Sequence, residues 1–219
     1  MHIPDGFLDV KTWVSTGVVS AGFIGYSIKK SKDTLNDRQV PLLGVMAAFI
    51  FAAQMINFPV AGGTSGHLLG AALATILLGP WNASIILSAV LIIQCLFFQD
   101  GGLTALGGNV FNMAVVGVLT SYLVYRVITA VNSSKTVKLI AAFVASWISV
   151  LAASVAASVE LAVSGTAPLN IVLPAMLTWH VFIGIGEGMI TAVVVSVVSA
   201  YGFNLEGGGD DSNEKTSVS

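Results

Sequence analysis

The chain has only three histidines, His2, His67 and His180, and a single cysteine, Cys95. His2 directly follows Met1, and that position has its own coordination chemistry. A side chain as bulky as His2 disfavours removal of the initiator methionine, which leaves the amine of Met1 at the terminus. That amine, the backbone amide nitrogen of His2 and its imidazole Nδ1 can then hold one ion through adjacent five- and six-membered rings. A deprotonated amide ligand favours square-planar d8 and d9 ions, above all Ni²⁺ and Cu²⁺, with low-spin Co²⁺ also compatible. A fourth nitrogen completes the plane, and His67 is the natural donor. The next residues, Ile3-Pro4-Asp5-Gly6-Phe7, read as a tight turn that could fold the terminus back into the protein. Cys95 lies in an apolar run and reads as packing.

Other polar residues gather in the same parts of the sequence. Gln54 and Asn57 precede a Pro/Gly-rich break at Pro59–Gly66 that contains Thr64 and Ser65. A second loop, around Gln99–Gly108, brings Asp100 with Asn109 just beyond it. His180 and Glu187 are seven apart in an apolar run and share one helix face. These residues are expected to surround the imidazoles and orient them through their second ring nitrogens. Glu160 is placed facing water.

Composition fixes the setting. Hydrophobic residues make up 55% of the 219 and charged residues only 9%, against roughly 25% in soluble domains. Between Gln39 and Tyr201 the charges are Asp100, Arg126, Lys135, Lys138, Glu160 and Glu187 alone. A soluble protein of this size has too little interior for so much apolar chain, so the fold class is all-α, a polytopic membrane protein. With a net charge of −2 and no basic stripe, nucleic acid is excluded as a partner. No nucleotide-binding loop and no hydrolase motif is present, so the chain is not expected to be an enzyme.

Seven apolar segments emerge: Thr12–Ile28, Pro41–Asn57, Gly66–Leu78, Trp81–Phe98, Asn109–Ile128, Val137–Ser164 and Pro174–Tyr201. With seven spans, all of the Lys and Arg residues except Lys11 fall on the side of the C-terminus, which makes that side cytoplasmic and puts the N-terminus outside. Residues 1–201 form the membrane unit, and 202–219 read as a disordered cytoplasmic tail. The Pro59–Gly66 break is expected to dip inward and line a site, because irregular backbone at membrane depth needs protein or a cavity around it. Small residues spaced by four, Gly17/Ala21/Gly25 and Gly44/Ala48/Ala52, mark helix contacts, and one stripe could face a partner.

Four stretches carry a resemblance: MHIPDGFL at the start, NFPVAGGTSGHLLG at Asn57–Gly70, FQDGGLTALGGNVFNM at Phe98–Met113 and HVFIGIGEGMIT at His180–Thr191. Over nearly the whole chain to Tyr201, they resemble the substrate-capture (S) components of cobalt/nickel energy-coupling factor transporters, the CbiM/NikM family. The resemblance implies six S-component helices plus one extra N-terminal helix. It implies a metal site of the Met1 amine, the His2 amide and imidazole, and His67. It also implies a transmembrane coupling (T) subunit, two ATPase subunits and often a small accessory membrane subunit, with Gly44, Ala48 and Ala52 as the docking stripe. Ni²⁺ or Co²⁺ is then the cargo, crossing a bacterial plasma membrane. The rival readings are a stand-alone secondary transporter or channel for a divalent cation, and a non-transport membrane metal sensor. Against the first, Glu187 is the only deeply placed charge.

Overall fold

The structure is a computed structural model that describes residues 1–34, 40–60 and 64–201. The expectation of a disordered tail at 202–219 lies outside these residues. The chain is mainly helical: α1 (Val10–Thr34), α2 (Val40–Met55), α3 (Ala71–Phe98), α4 (Leu106–Val131), α5 (Lys135–Val163) and α6 (Leu169–Ala200). Among the described residues, α3 to α6 are each long and apolar enough to cross a membrane, and α2 is a shorter apolar helix. Most of their outward side chains are large and apolar, as in Leu123, Phe182 and Val193. That surface suits lipid rather than water.

The Pro59–Gly66 break is not wholly irregular. Strands β1 (Phe58–Val60) and β2 (Thr64–Gly66) pair antiparallel, with Pro59 opposite Ser65. The all-α expectation therefore needs this two-stranded addition. Pairing satisfies backbone polar groups locally, and that is what lets a non-helical segment sit against the apolar helices. Within the expected segment Gly66–Leu78 the helix starts only at Ala71, so His67 precedes it. It lies in the link between β2 and α3, whose N-cap is Gly70 at φ 78°.

Helix α3 is broken at Gly79, where φ 77° and ψ 162° precede Pro80. A straight helix of this length would set its ends about 40 Å apart. Yet His67, just before the first leg, and Gln94, late in the second, both touch His2. The chain must therefore reverse at Gly79–Pro80. That backbone region is open to glycine almost alone, and the ψ suits a residue before proline.

Small residues let the helices approach closely. Helix α5 buries Ala141, Ala145, Ser149, Ala153 and Ala157 at four-residue spacing. On α6, a Cβ at Gly184 would meet Trp147 at 2.8 Å, and one at Gly188 would meet Phe143 at 2.7 Å. Gly17 of the first small-residue stripe packs internally, since a Cβ on Gly107 would lie 2.5 Å from the Gly17 Cα. Gly44, Ala48 and Ala52 on α2 are exposed, with open space around Gly44. Helix α4 contains a π-helical stretch, Phe111–Gly117, which begins two residues after Asn109.

Gly79→Ala should destabilise the purified protein by about 1–3 kcal/mol, the cost of forcing a side chain into that backbone region. Thermal unfolding in detergent measures this, and an unchanged midpoint would contradict the reversal.

Candidate metal centre

The first three residues are drawn into the protein. Met1 and Ile3 are fully buried, and His2 is 4% exposed. The Met1 amine donates to the carbonyl oxygen of Ser65 and to its hydroxyl oxygen at 3.2 Å. The His2 amide donates to the same hydroxyl, also at 3.2 Å. Asn109 holds Ile3 from both sides, accepting from its N–H at 2.8 Å and donating to its carbonyl at 3.1 Å. The Gly102 amide adds a third bond to that carbonyl at 2.9 Å. The loop presses so close that a Cβ on Gly102 would lie 2.2 Å from the Asp5 nitrogen, which only glycine permits. Asp5 in turn accepts from the Thr104 amide at 2.7 Å and hydroxyl at 2.6 Å. Asp9 starts α1 by taking the Thr12 amide at 3.1 Å.

These bonds set His2 face to face with His67, their ring centroids 4.5 Å apart and their planes 29° from parallel. Each ring has one nitrogen tied and one bare. His2 Nε2 donates to Gln94 Oε1 at 3.1 Å, which leaves the Nδ1 lone pair free. His67 Nδ1 donates to the Leu68 carbonyl at 2.7 Å, which leaves Nε2 without a partner. Asp100 Oδ1 lies 3.3 Å from His2 Nδ1 without hydrogen-bonding alignment. Two electron-rich atoms thus face each other with no proton assigned between them. Asp100 is itself held by Asn57 through Oδ2 at 2.8 Å.

Burial controls the charge here. Desolvation drives the Met1 amine well below its ordinary value of 8.0, with nearby Asp100 pulling weakly the other way. Desolvation first, and then the amine, bring His2 down to about 3, against the opposing bond to Gln94. His67 is also well below its usual range, through burial, the amine, His2 and, more weakly, His180, with the Leu68 bond opposing. Burial pushes Asp100 up, opposed by the amine and by Asn57. The amine and both rings are therefore neutral nitrogen donors near pH 7. Among the described residues, no group of three or more His, Cys, Asp and Glu side chains is placed to hold a metal. The donors that do converge include a backbone amine and a backbone amide.

Of the remaining expected residues, Gln54 and Glu187 hold the link that carries His67. Gln54 donates to the Leu69 carbonyl at 2.8 Å. Glu187 accepts from the amides of Leu69 and Gly70, the latter at 3.0 Å, and from Ser146 at 3.2 Å. It thus ties down the link just before α3, and these bonds go to that link and to Ser146 and not to His2 or His67. Thr64 is buried on β2 with an unpartnered hydroxyl. His180 is fully buried on α6. Glu160 does not face water: it is 6% exposed and accepts from Asn112 at 2.8 Å. Gln94 was not singled out from the sequence, although a lone amide inside the apolar run before Cys95 was a usable signal.

The family model described as "Cobalt uptake substrate-specific transmembrane region" (CbiM) matches residues 2–205. The chain belongs to the CbiM family. It is 33% identical over 220 residues to the cobalt transport protein CbiM of Acetoanaerobium sticklandii, covering 94% of this chain and 89% of that one. It is 38% identical over 213 residues to the fused nickel transport protein NikMN of Rhodobacter capsulatus, covering 90% of this chain but only 61% of that longer protein. A crystal structure of a truncated transition metal transporter superposes with a TM-score of 0.86 at 33% identity, over 92% of this chain and 99% of that one. Membership of a family described by cobalt uptake, together with the long apolar helices, makes this a membrane protein of a metal-uptake family.

Two outcomes follow for the metal-free CbiM-family chain. As pH falls below 6.5, unfolded His2 takes up a proton that folded His2 refuses until about 3. The unfolded state then binds more protons, so stability should fall steadily between pH 7.5 and 5. Thermal midpoints measured across that range test this, and a flat or rising profile would contradict it. Asn109→Leu removes both bonds to Ile3, so hydrogen exchange at the Ile3 amide should quicken at least tenfold, as expected for a loss of about 1.4 kcal/mol or more. Unchanged exchange would show that Asn109 does not hold the terminus.

Proposed function

We propose that this chain is the metal-capturing subunit of an ATP-driven importer of Ni²⁺ or Co²⁺, working at the outer face of a bacterial plasma membrane. The observation that carries this reading is the set of buried nitrogens at the chain start. They are the neutral Met1 amine, His2 Nδ1 and His67 Nε2, the two ring atoms without partners, with Asp100 beside them. Met1 and His2 fill three corners of a square, and His67 takes the corner opposite the His2 amide nitrogen. The stacked rings must turn edge-on to share the ion. The Ser65 hydroxyl gives up its bond to the His2 amide as the metal replaces that proton, while the neutral amine binds through its lone pair and keeps its own protons.

Charge balance supports the choice of ion. A divalent cation, one deprotonated amide and the Asp100 carboxylate sum to zero, which a buried site requires. Planarity favours Ni²⁺, with Co²⁺ close behind. The ion is captured outside, beneath the hairpin and the N-terminal turn. In this reading α1, α2, the two legs of α3, and α4 to α6 make seven spans with the N-terminus outside. As the family resemblance implies, energy comes from two ATPase subunits through a transmembrane coupling subunit, with a small accessory membrane subunit possible in the assembly. The exposed Gly44, Ala48 and Ala52 stripe on α2 is the docking face for the coupling subunit.

Metal binding to purified protein tests the site. Ni²⁺ should bind tightly, near one-to-one, and binding should collapse when the Met1 amine is acetylated, when a residue is added before it, and in His67→Ala. Ni²⁺ affinity that survives a blocked terminus would refute the site.

A further inference from the structure

His180 shares the electronic arrangement of His67. Its Nδ1 donates to the Met176 carbonyl at 2.7 Å, so its Nε2 carries a bare lone pair. That nitrogen is fully buried and has no partner. Leaving such a group unsatisfied is unfavourable, because its hydration is lost and nothing replaces it. Histidines that ligate metals are commonly fixed this way, with the other ring N–H given to a carbonyl. In this chain all three histidines are fixed so, and all three keep one bare nitrogen.

Position points the same way. His180 lies on the buried face of α6 with Gly184, Glu187 and Thr191. Seven residues below it, about 10 Å along the helix, Glu187 holds Leu69 and Gly70. The link from Leu69 back to His67 climbs about 7 Å if extended, toward the level of His180. Neighbouring α6 residues meet the hairpin itself: Ile183 lies 3.1 Å from where a Gly66 Cβ would be, and Trp179 stacks edge-on against Phe58 at 5.3 Å.

We propose that His180 Nε2 is a fifth ligand to the transported ion, approaching from one face of the four-nitrogen plane. The inference rests on the reading of Met1, His2 and His67 as that plane. With its corners filled, another nitrogen can reach the ion only from above or below. Low-spin d8 Ni²⁺ keeps both electrons of its axial orbital paired and gains little from such a donor. Low-spin d7 Co²⁺ has one electron there and gains a bond. His180 therefore shifts the site toward Co²⁺, so the metal preference is set by α6 and not by the chelating terminus alone.

The test is electron paramagnetic resonance of the full chain loaded anaerobically with Co²⁺ alone, in imidazole-free buffer. The unpaired electron lies along the axis, so an apical nitrogen should split each parallel cobalt line into a triplet, which becomes a doublet with ¹⁵N-histidine. His180→Ala and His180→Gln should abolish the splitting, lower Co²⁺ affinity about tenfold and leave Ni²⁺ affinity within about twofold. Unsplit low-spin lines in the unsubstituted protein, or splitting that survives in a folded His180 variant, would overturn the fifth ligand while leaving the plane intact. A high-spin cobalt spectrum in the unsubstituted protein would overturn the four-nitrogen plane and, with it, the fifth ligand. The unsubstituted and ¹⁵N spectra decide the question even if neither variant folds.

Discussion

A chain terminus rarely belongs in a protein interior, because its amine is charged in water and costly to desolvate. This chain buries Met1 completely, and the segments around it are organised by that burial. The amine can stay only if it is neutral and hydrogen-bonded. Ser65 supplies the bonds, and burial lowers the amine's proton affinity. Neutralising an amine for the sake of burial also exposes a lone pair. The constraint that makes the terminus hard to bury is thus the one that would make it a ligand in the proposed metal site.

Holding that terminus explains otherwise unconnected features. The β-hairpin presents Ser65 to the amine, and the reversal at Gly79–Pro80 returns α3 so that Gln94 reaches His2. The loop after α3 brings Asp100, Gly102 and Thr104 against the first five residues. Glu187, a carboxylate within the apolar helices, bonds the Leu69 and Gly70 amides and so fixes the link that carries His67. Few charged side chains are needed. An amine, an amide and imidazoles can bind a divalent ion while the helices stay almost wholly apolar, which fits the 9% charged composition.

Much of this was legible in the sequence. Hydropathy marked the long helices because apolar runs bounded by Gly, Pro and charge have few other uses. The second-position histidine pointed to a chelating terminus because chelate-ring geometry is a local property of the first two residues. The pairing of Asp100 with His2, and of Asn109 with Ile3, needed the loop after α3 to fold over the terminus. Residues about a hundred positions apart give no local sign of such a contact. Glu160 was misplaced because its partner Asn112 lies on a different helix, in a π-helical stretch that periodicity does not reveal. The hairpin was missed because three-residue strands beside glycines resemble any loop. Gln94 was overlooked because a single polar residue barely alters the hydropathy of its run.

Capture of a divalent ion by a buried terminus predicts a coordination geometry that can be observed directly. The nickel K-edge absorption spectrum of the Ni²⁺-loaded full chain is the most direct measurement. A planar site of four nitrogens should give the strong pre-edge 1s→4pz feature and a single shell of short nickel–nitrogen distances. A spectrum without that feature, fitted by six longer oxygen or nitrogen contacts, would contradict the account.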